Sequence, residues 1–368
     1  MKIPGTLLTL LLLGVAAADS RTFTHAKGYA IEAEMIGHEA DRITLRLEDG
    51  KVVECALADL SKQDQARITN LPAGHAKNLG QLNKAAGHPF FSEEGVFRAS
   101  ASLLAKILGM RPESTTEGLR SWRRYPAGRG SGPQPFTLFG AMPYSLALYA
   151  SPTGALSHLS AVYANKGDFG STSGFGEDHF DNKPQAGTET LEAAMKADFE
   201  TITRKLTEAL GEGDKQRYGE GKSRQTDDRW NWGDAAILLA IEKEEFVTLS
   251  LVPAALADSG GKVTRVKDGE IKKRIAASVV RKDNGDVVIT GIPMVDQGPK
   301  GYCVPATFER VMRFMGIEAD MYLLAMVGQT RAGGGTSPSL LIDEVKSHVY
   351  RKSRRTREDD TRKLKLSR

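Results

Sequence analysis

Polar and apolar residues alternate through residues 29–37, "YAIEAEMIG", and again through residues 42–57, "RITLRLEDGKVVECAL". That period of two predicts strands with one buried face. Asp49-Gly50 interrupts the second run, and such a pair favours a two-residue hairpin turn with positive φ at the glycine. "ALADLSKQDQARITNL" then predicts a short, polar-capped helical turn. Four or five short strands in about 50 residues suggest a small curled sheet or barrel. Further on the spacing becomes helical. Residues 92–109 end on Gly109, and Leu191, Met195, Phe199, Ile202, Leu206 and Leu210 form one stripe that stops at Gly211. "YSLALYA", "LSHLSAVYA", "AAILLAIE" and "EFVTLSLVP" read as strands, and "AASVVRKDNGDVVITGI" as a hairpin turning at Asn284-Gly285. The polar, glycine-rich residues 211–228 read as a surface loop. The pattern predicts a multidomain α+β chain with no fixed-period repeat.

The first eighteen residues differ. Lys2, the short apolar run "LLTLLLLGVAA" and an A-x-A pattern at Ala16 and Ala18 read as a secretory signal peptide over 1–18. The run is shorter than the about 20 apolar residues of a membrane anchor. Export to the periplasm or the extracellular space is expected, without stable membrane insertion. Net charge is +4, yet residues 351–368 carry nine Lys or Arg against three Asp or Glu. That basic tail lacks apolar periodicity and reads as disordered. The rest of the chain is slightly acidic, so a nucleic-acid partner is not expected. The two cysteines, Cys55 and Cys303, fall in different predicted domains, which points to separate roles rather than a disulfide. Cys55 sits in a strand and reads as a small buried apolar residue.

Candidate chemistry is sparse in the middle of the chain. "GRGSGP" and "GDFGSTSGFGED" do not lie between a strand and a helix, as a phosphate cradle requires. "EDHFD" around His179 lacks metal-site spacing. These read as exposed loops, Trp230 and Trp232 as core, and no cofactor or metal is expected. The chemistry gathers in "VDQGPKGYCVPATFERVMRFMGI", residues 295–317. Val304, Phe308, Val311, Met312 and Met315 fall on one helical face that ends at Gly316. Cys303 opens that helix, where unpaired N–H groups and the helix dipole favour a thiolate. Gln297, on a loop with Gly298 and Gly301, is a candidate donor to an oxyanion formed at the thiol, with the Cys303 backbone N–H as the second.

Two resemblances add to this. The opening R-T-F, the G-x-x-x-x-A-E strand, the L-x-x-x-D-G-K hairpin and the closing L-S-x-x-D-Q resemble the first homology domain of the yeast actin-assembly adaptor Sla. This implies an SH3-like β-barrel over 21–71 and a protein or peptide partner. Gln297, Cys303, Pro305, Ala306 and Gly334-Gly335-Thr336 resemble the first half of the papain-like peptidases that process double-glycine leaders, whose relatives occur in exported bacterial proteins. That resemblance implies Cys303 as nucleophile and Gln297 as oxyanion donor. The family's histidine on a later strand has no match, and His348 in "EVKSHVYRK" is the one histidine after the cysteine. The expected organisation is the SH3-like module, a linker over 72–90, a central α+β domain over 91–290 and a partial papain-like domain over 291–350. Two functions stand: a cysteine-peptidase-like exported protein, incomplete or inactive without a matching histidine, or a non-catalytic binding or scaffold protein. The substrate and oligomeric state are not encoded in these patterns.

Overall fold

The computed structural model describes residues 21–342, apart from 40, 72–74, 127–134, 168–189, 220–223, 243, 263–265, 299–301, 329, 331–335 and 340. The expected signal peptide and basic tail, "GRGSGP", "EDHFD", Gly334-Gly335 and His348 lie outside the described residues.

The alternating N-terminal segment forms a four-stranded antiparallel meander, β1 (Arg21–Thr24), β2 (Ala30–Glu39), β3 (Arg42–Leu47) and β4 (Val52–Ala56). One face buries Phe23, Ala33, Met35, Ile43 and Leu45 with Leu60 and Ile68. Ser61 caps α1 (Lys62–Thr69) by accepting from the Asp64 backbone N–H. The sheet does not close into the expected barrel. Its first strand meets the chain beyond β4 at a single bridge, His25 to Leu60, with the Ser61 N–H donating to Thr24 O at 2.6 Å. The β3–β4 turn also differs from expectation. Leu47 N–H donates to Lys51 O and Gly50 N–H to Leu47 O, so three residues form the loop. Gly50 has φ +85° and Asp49 is not left-handed, the pattern of a type I turn followed by a left-handed glycine.

Residues 72–90, expected as a linker, contain α2 (His75–Ala86). Leu79 and Leu82 are fully buried there. Asn83 fastens the helix to its surroundings by donating to Ile36 O and Phe91 O and accepting from Phe91 N–H. Arg46, buried and paired with Glu34, also donates to Pro89 O. The N-terminal sheet is therefore bonded to the segment beyond α2. The helix expected over 92–109 is shorter, α3 (Ala101–Ile107). Gly95 adopts φ +97° against Asp234, where an added Cβ would lie 2.7 Å from the carboxylate, so the chain before α3 cannot be regular helix.

The central unit is an eight-stranded antiparallel sheet. β5 (Arg111–Ser114), β6 (Ser121–Arg124), β7 (Ser145–Ala150) and β8 (Leu156–Asn165) make one meander. After α4 (Leu191–Leu210), β9 (Asp214–Tyr218), β10 (Gln225–Trp232), β11 (Ala235–Glu242) and β12 (Phe246–Pro253) make a second. The two join where β8 pairs with β12. β9 and β10 lie within or beside residues 211–228, expected as a loop. They pair from Gln225–Tyr218 to Arg229–Asp214, and β9 is a charged edge strand whose polar composition hid its pairing. Thr190 caps α4 and Gly211 ends it at φ +87°. Met195, Ile202 and Leu206 of α4 pack with Trp230 and Trp232 over one sheet face.

The other face carries α5 (Ala254–Asp258), α6 (Asp268–Ser278), the exposed hairpin β13 (Val279–Arg281) and β14 (Val287–Ile289), α7 (Cys303–Phe314) and α8 (Met321–Val327). Tyr302, Ala306, Met321, Tyr322 and Ala325 pack on Val162 and Phe246. Among the described residues, no helix is long and apolar enough to cross a membrane. The whole is a mixed α+β structure with several sheets.

Candidate functional site

Cys303 is the first residue of α7 and is exposed. Pro305, lacking an N–H, sits in the first turn, where none would be used within the helix. Tyr302, the preceding cap, is buried, its hydroxyl 3.2 Å from Asn165 Oδ1 and its ring 5.0 Å from that of Tyr322. Gln297 is also exposed, on the extended segment before the helix. Tyr125 and Glu113 hold that segment. The Tyr125 hydroxyl donates to Asp296 O, and the Asp296 N–H donates to Glu113 Oε1. Gly298 follows at φ +72° with the Tyr125 ring pressed against it, where an added Cβ would lie 2.7 Å from the ring. Residues 299–301, which connect Gln297 to Cys303, are among those not described. Both cysteines are free thiols, and burial pushes the Cys55 thiol up.

The described histidines of the central unit, His88 and His158, are occupied elsewhere. His88 lies 2.9 Å from Thr137 O and stacks on Phe136. His158 stacks on Tyr149 with ring centroids 4.2 Å apart, while the Arg313 guanidinium lies 4.8 Å from the centroid of the same Tyr149 ring. Arg313 is ten residues beyond Cys303 on α7, about 15 Å of helix. His158 thus belongs to the far end of α7.

That far end enters a buried cluster of charge. The buried face of α7 is Pro305, Ala306, Glu309, Met312 and Arg313, whereas Val311 of the expected apolar stripe is exposed. Glu309, fully buried, accepts from the Tyr149 hydroxyl at 3.0 Å and from the Met321 N–H at 2.9 Å. Arg123 lies 3.7 Å from it and pairs with Glu113, whose other oxygen accepts from the Ser121 hydroxyl. Arg313 donates to Leu119 O and faces both Glu113 and Glu309. Two carboxylates and two guanidiniums from β5, β6 and α7 therefore interlock with little water.

Burial first, with Asp320 and Glu113 beside it, pushes Glu309 up to about 7 against the pull of Arg123 and Arg313. Burial acts the same way on Glu113. There Arg123, the Ser121 hydroxyl and the Asp296 N–H outweigh it and hold the carboxyl below its usual range. Burial, then Arg313, lowers His158 to about 4, so its imidazole is neutral at pH 7.

A cavity of about 290 Å³ opens beside this cluster, between the sheet and the α7–α8 pair. Its floor is Ser157, His158 and Ser160 of β8 with Thr248 and Ser250 of β12. Met312, Leu323 and Leu324 roof it, and Glu318 and Asp320 stand on the same side. No group of three or more His, Cys, Asp or Glu is placed to hold a metal ion among the described residues.

No family model, curated protein or solved structure matches this chain.

The cavity and the charge cluster are what the sequence patterns missed. Nothing in the sequence marked Glu309 and Arg313, four apart on a helix, as buried, and charged residues are seldom fully buried. One signal was present. In "LSHLSAVYA" and "EFVTLSLVP" the hydroxyls and the histidine interrupt strands that are otherwise apolar. Polar residues on a covered sheet face mark a lined space rather than a packed core.

Proposed function

We propose that the chain is an exported binding protein whose N-terminal SH3-like module engages a protein or peptide, and whose peptidase-like segment is a packing element of the central α+β unit. One observation carries this reading: Glu309 and Arg313 of α7 are locked into a buried ion-pair cluster with Glu113 and Arg123 of the sheet. A segment so bonded is committed to the sheet. The four-stranded antiparallel meander with one buried face supports the SH3-like reading of the first module.

A second reading has its own support. Cys303 is exposed at a helix start, with Gln297 exposed upstream, as a nucleophile and an oxyanion donor would be. Among the described residues, His88 and His158 are engaged elsewhere and offer that site no acid to protonate a leaving amine.

Cleavage of a mixed fluorogenic peptide pool by the full chain separates the two. The binding reading expects no turnover that disappears on Cys303→Ala, while iodoacetamide still labels Cys303. Turnover abolished by Cys303→Ala would establish the peptidase reading. His348→Ala would then tell whether the one histidine downstream supplies the base.

A further inference from the structure

The cavity under α7–α8 has an unbalanced lining. Two carboxylates, Glu318 and Asp320, stand at it, and among the described residues neither lysine nor arginine lines it. Its histidine, His158, is half-buried and is neutral at pH 7. Acceptors also outnumber donors behind the wall. Gln225, which lines the cavity, has a buried Oε1 with no partner, and Asp227 two residues along β10 is 1% exposed with an unpartnered Oδ1. Buried acceptors without donors are uncommon and costly, so each calls for an explanation. Asp320 already uses Oδ1 to cap α8, accepting from the Tyr322 and Leu323 N–H groups. Apolar walls complete the space, with Phe246 and Leu256 on one side and Met312, Leu323 and Leu324 on the other.

From this lining we infer that the cavity is a binding site for a small organic cation, a primary amine on an apolar body. An ammonium group brings three donors and a positive charge to a site supplied with acceptors and negative charge. The hydroxyls of Ser157, Ser160, Thr248 and Ser250 both donate and accept, so they adapt to its orientation. An anionic ligand finds no lining cation among the described residues. The size matches the lower end of small-ligand pockets. The inference holds whichever reading of Cys303 is right, because the cavity lies toward the opposite end of α7.

Calorimetric titration of the full chain with hexylamine, hexanol and hexanoate tests it. Hexylamine should bind at one site per chain, about tenfold or more tighter than hexanol, and hexanoate should be the weakest. The double variant Glu318→Gln, Asp320→Asn keeps a capping side chain on α8 and should weaken hexylamine about tenfold while leaving hexanol unchanged. Ser250→Phe, which fills the floor, should abolish both. Equal affinity for hexylamine and hexanol would reduce the site to an apolar hole and overturn the inference. So would tighter binding of hexanoate, an unaltered double variant, or no heat up to about 10 mM hexylamine, a concentration at which even weak sites of this kind fill.

Discussion

Glu309 shows how one buried carboxyl shapes the chain's response to pH. Its folded-state value is raised to about 7 from an ordinary 4.5, so the native protein holds a proton that the unfolded chain has released. Its stabilising contribution is complete below about pH 4.5 and is lost as pH rises through about 7. Asp227, pushed by burial from 3.8 to about 7, acts in the same direction. His158 opposes them: its value falls from 6.5 to about 4, so its contribution is present above pH 6.5 and lost as pH falls through 4. The histidine offsets only one of the two carboxyls, so the carboxyls dominate from about pH 4.5 upward. The melting temperature should therefore fall between about pH 4.5 and 8, and Glu309→Gln, which cannot ionise, should flatten that fall. The change attributable to this one group is on the order of 3 kcal/mol. A variant with the same slope as the parent chain would show that Glu309 does not titrate in this range.

At the scale of elements, the sequence was legible where a residue's role is local. Thr190 and Gly211 bound α4 as its apolar stripe implied, and four of the strand-like runs are β7, β8, β11 and β12. Legibility failed where partners are distant in the chain. β9 looks like a loop until β10 pairs with it, and α2 looks like a linker until the core buries Leu79 and Leu82. On α7 the apolar stripe marked the helix, and Val304, Phe308, Met312 and Met315 pack in one cluster, but it gave no sign that Glu309 and Arg313 are buried too, against partners on β5, β6 and β7. The cavity left only the polar interruptions of β8 and β12 as a sign for the same reason, because its walls come from both meanders and from α7–α8. The β3–β4 turn gives an element-scale prediction. Gly50 holds φ +85°, and a Cβ added there would meet only Leu103 Cδ1, at 3.6 Å, so a side chain faces backbone strain rather than a clash. Gly50→Val should destabilise the chain by about 1 kcal/mol or more, read as a shift of the urea midpoint. An unchanged midpoint would contradict the left-handed assignment at this turn.

Over the whole molecule, three bodies of sequence become a bonded succession. The N-terminal sheet is tied to the segment after α2 through Arg46, Asn83 and the Arg67–Glu93 pair. The central sheet is closed on one face by α4 and partly covered on the other by α7–α8. A buried ion-pair cluster adds little net stability over apolar packing, yet breaking one member leaves an unpaired charge in a dry place. The cluster therefore sets where α7 docks more than how strongly the chain folds. Native-state amide exchange across α7, α8 and β5–β8, followed with increasing denaturant, tests this most directly. The account predicts that the protected amides of α7 and α8 exchange with the same opening free energy as those of β6 and β7, as one cooperative unit. If α7 and α8 instead open at lower free energy while the sheet stays protected, the C-terminal segment is a separate unit resting on the sheet, and its role as a packing element would be contradicted.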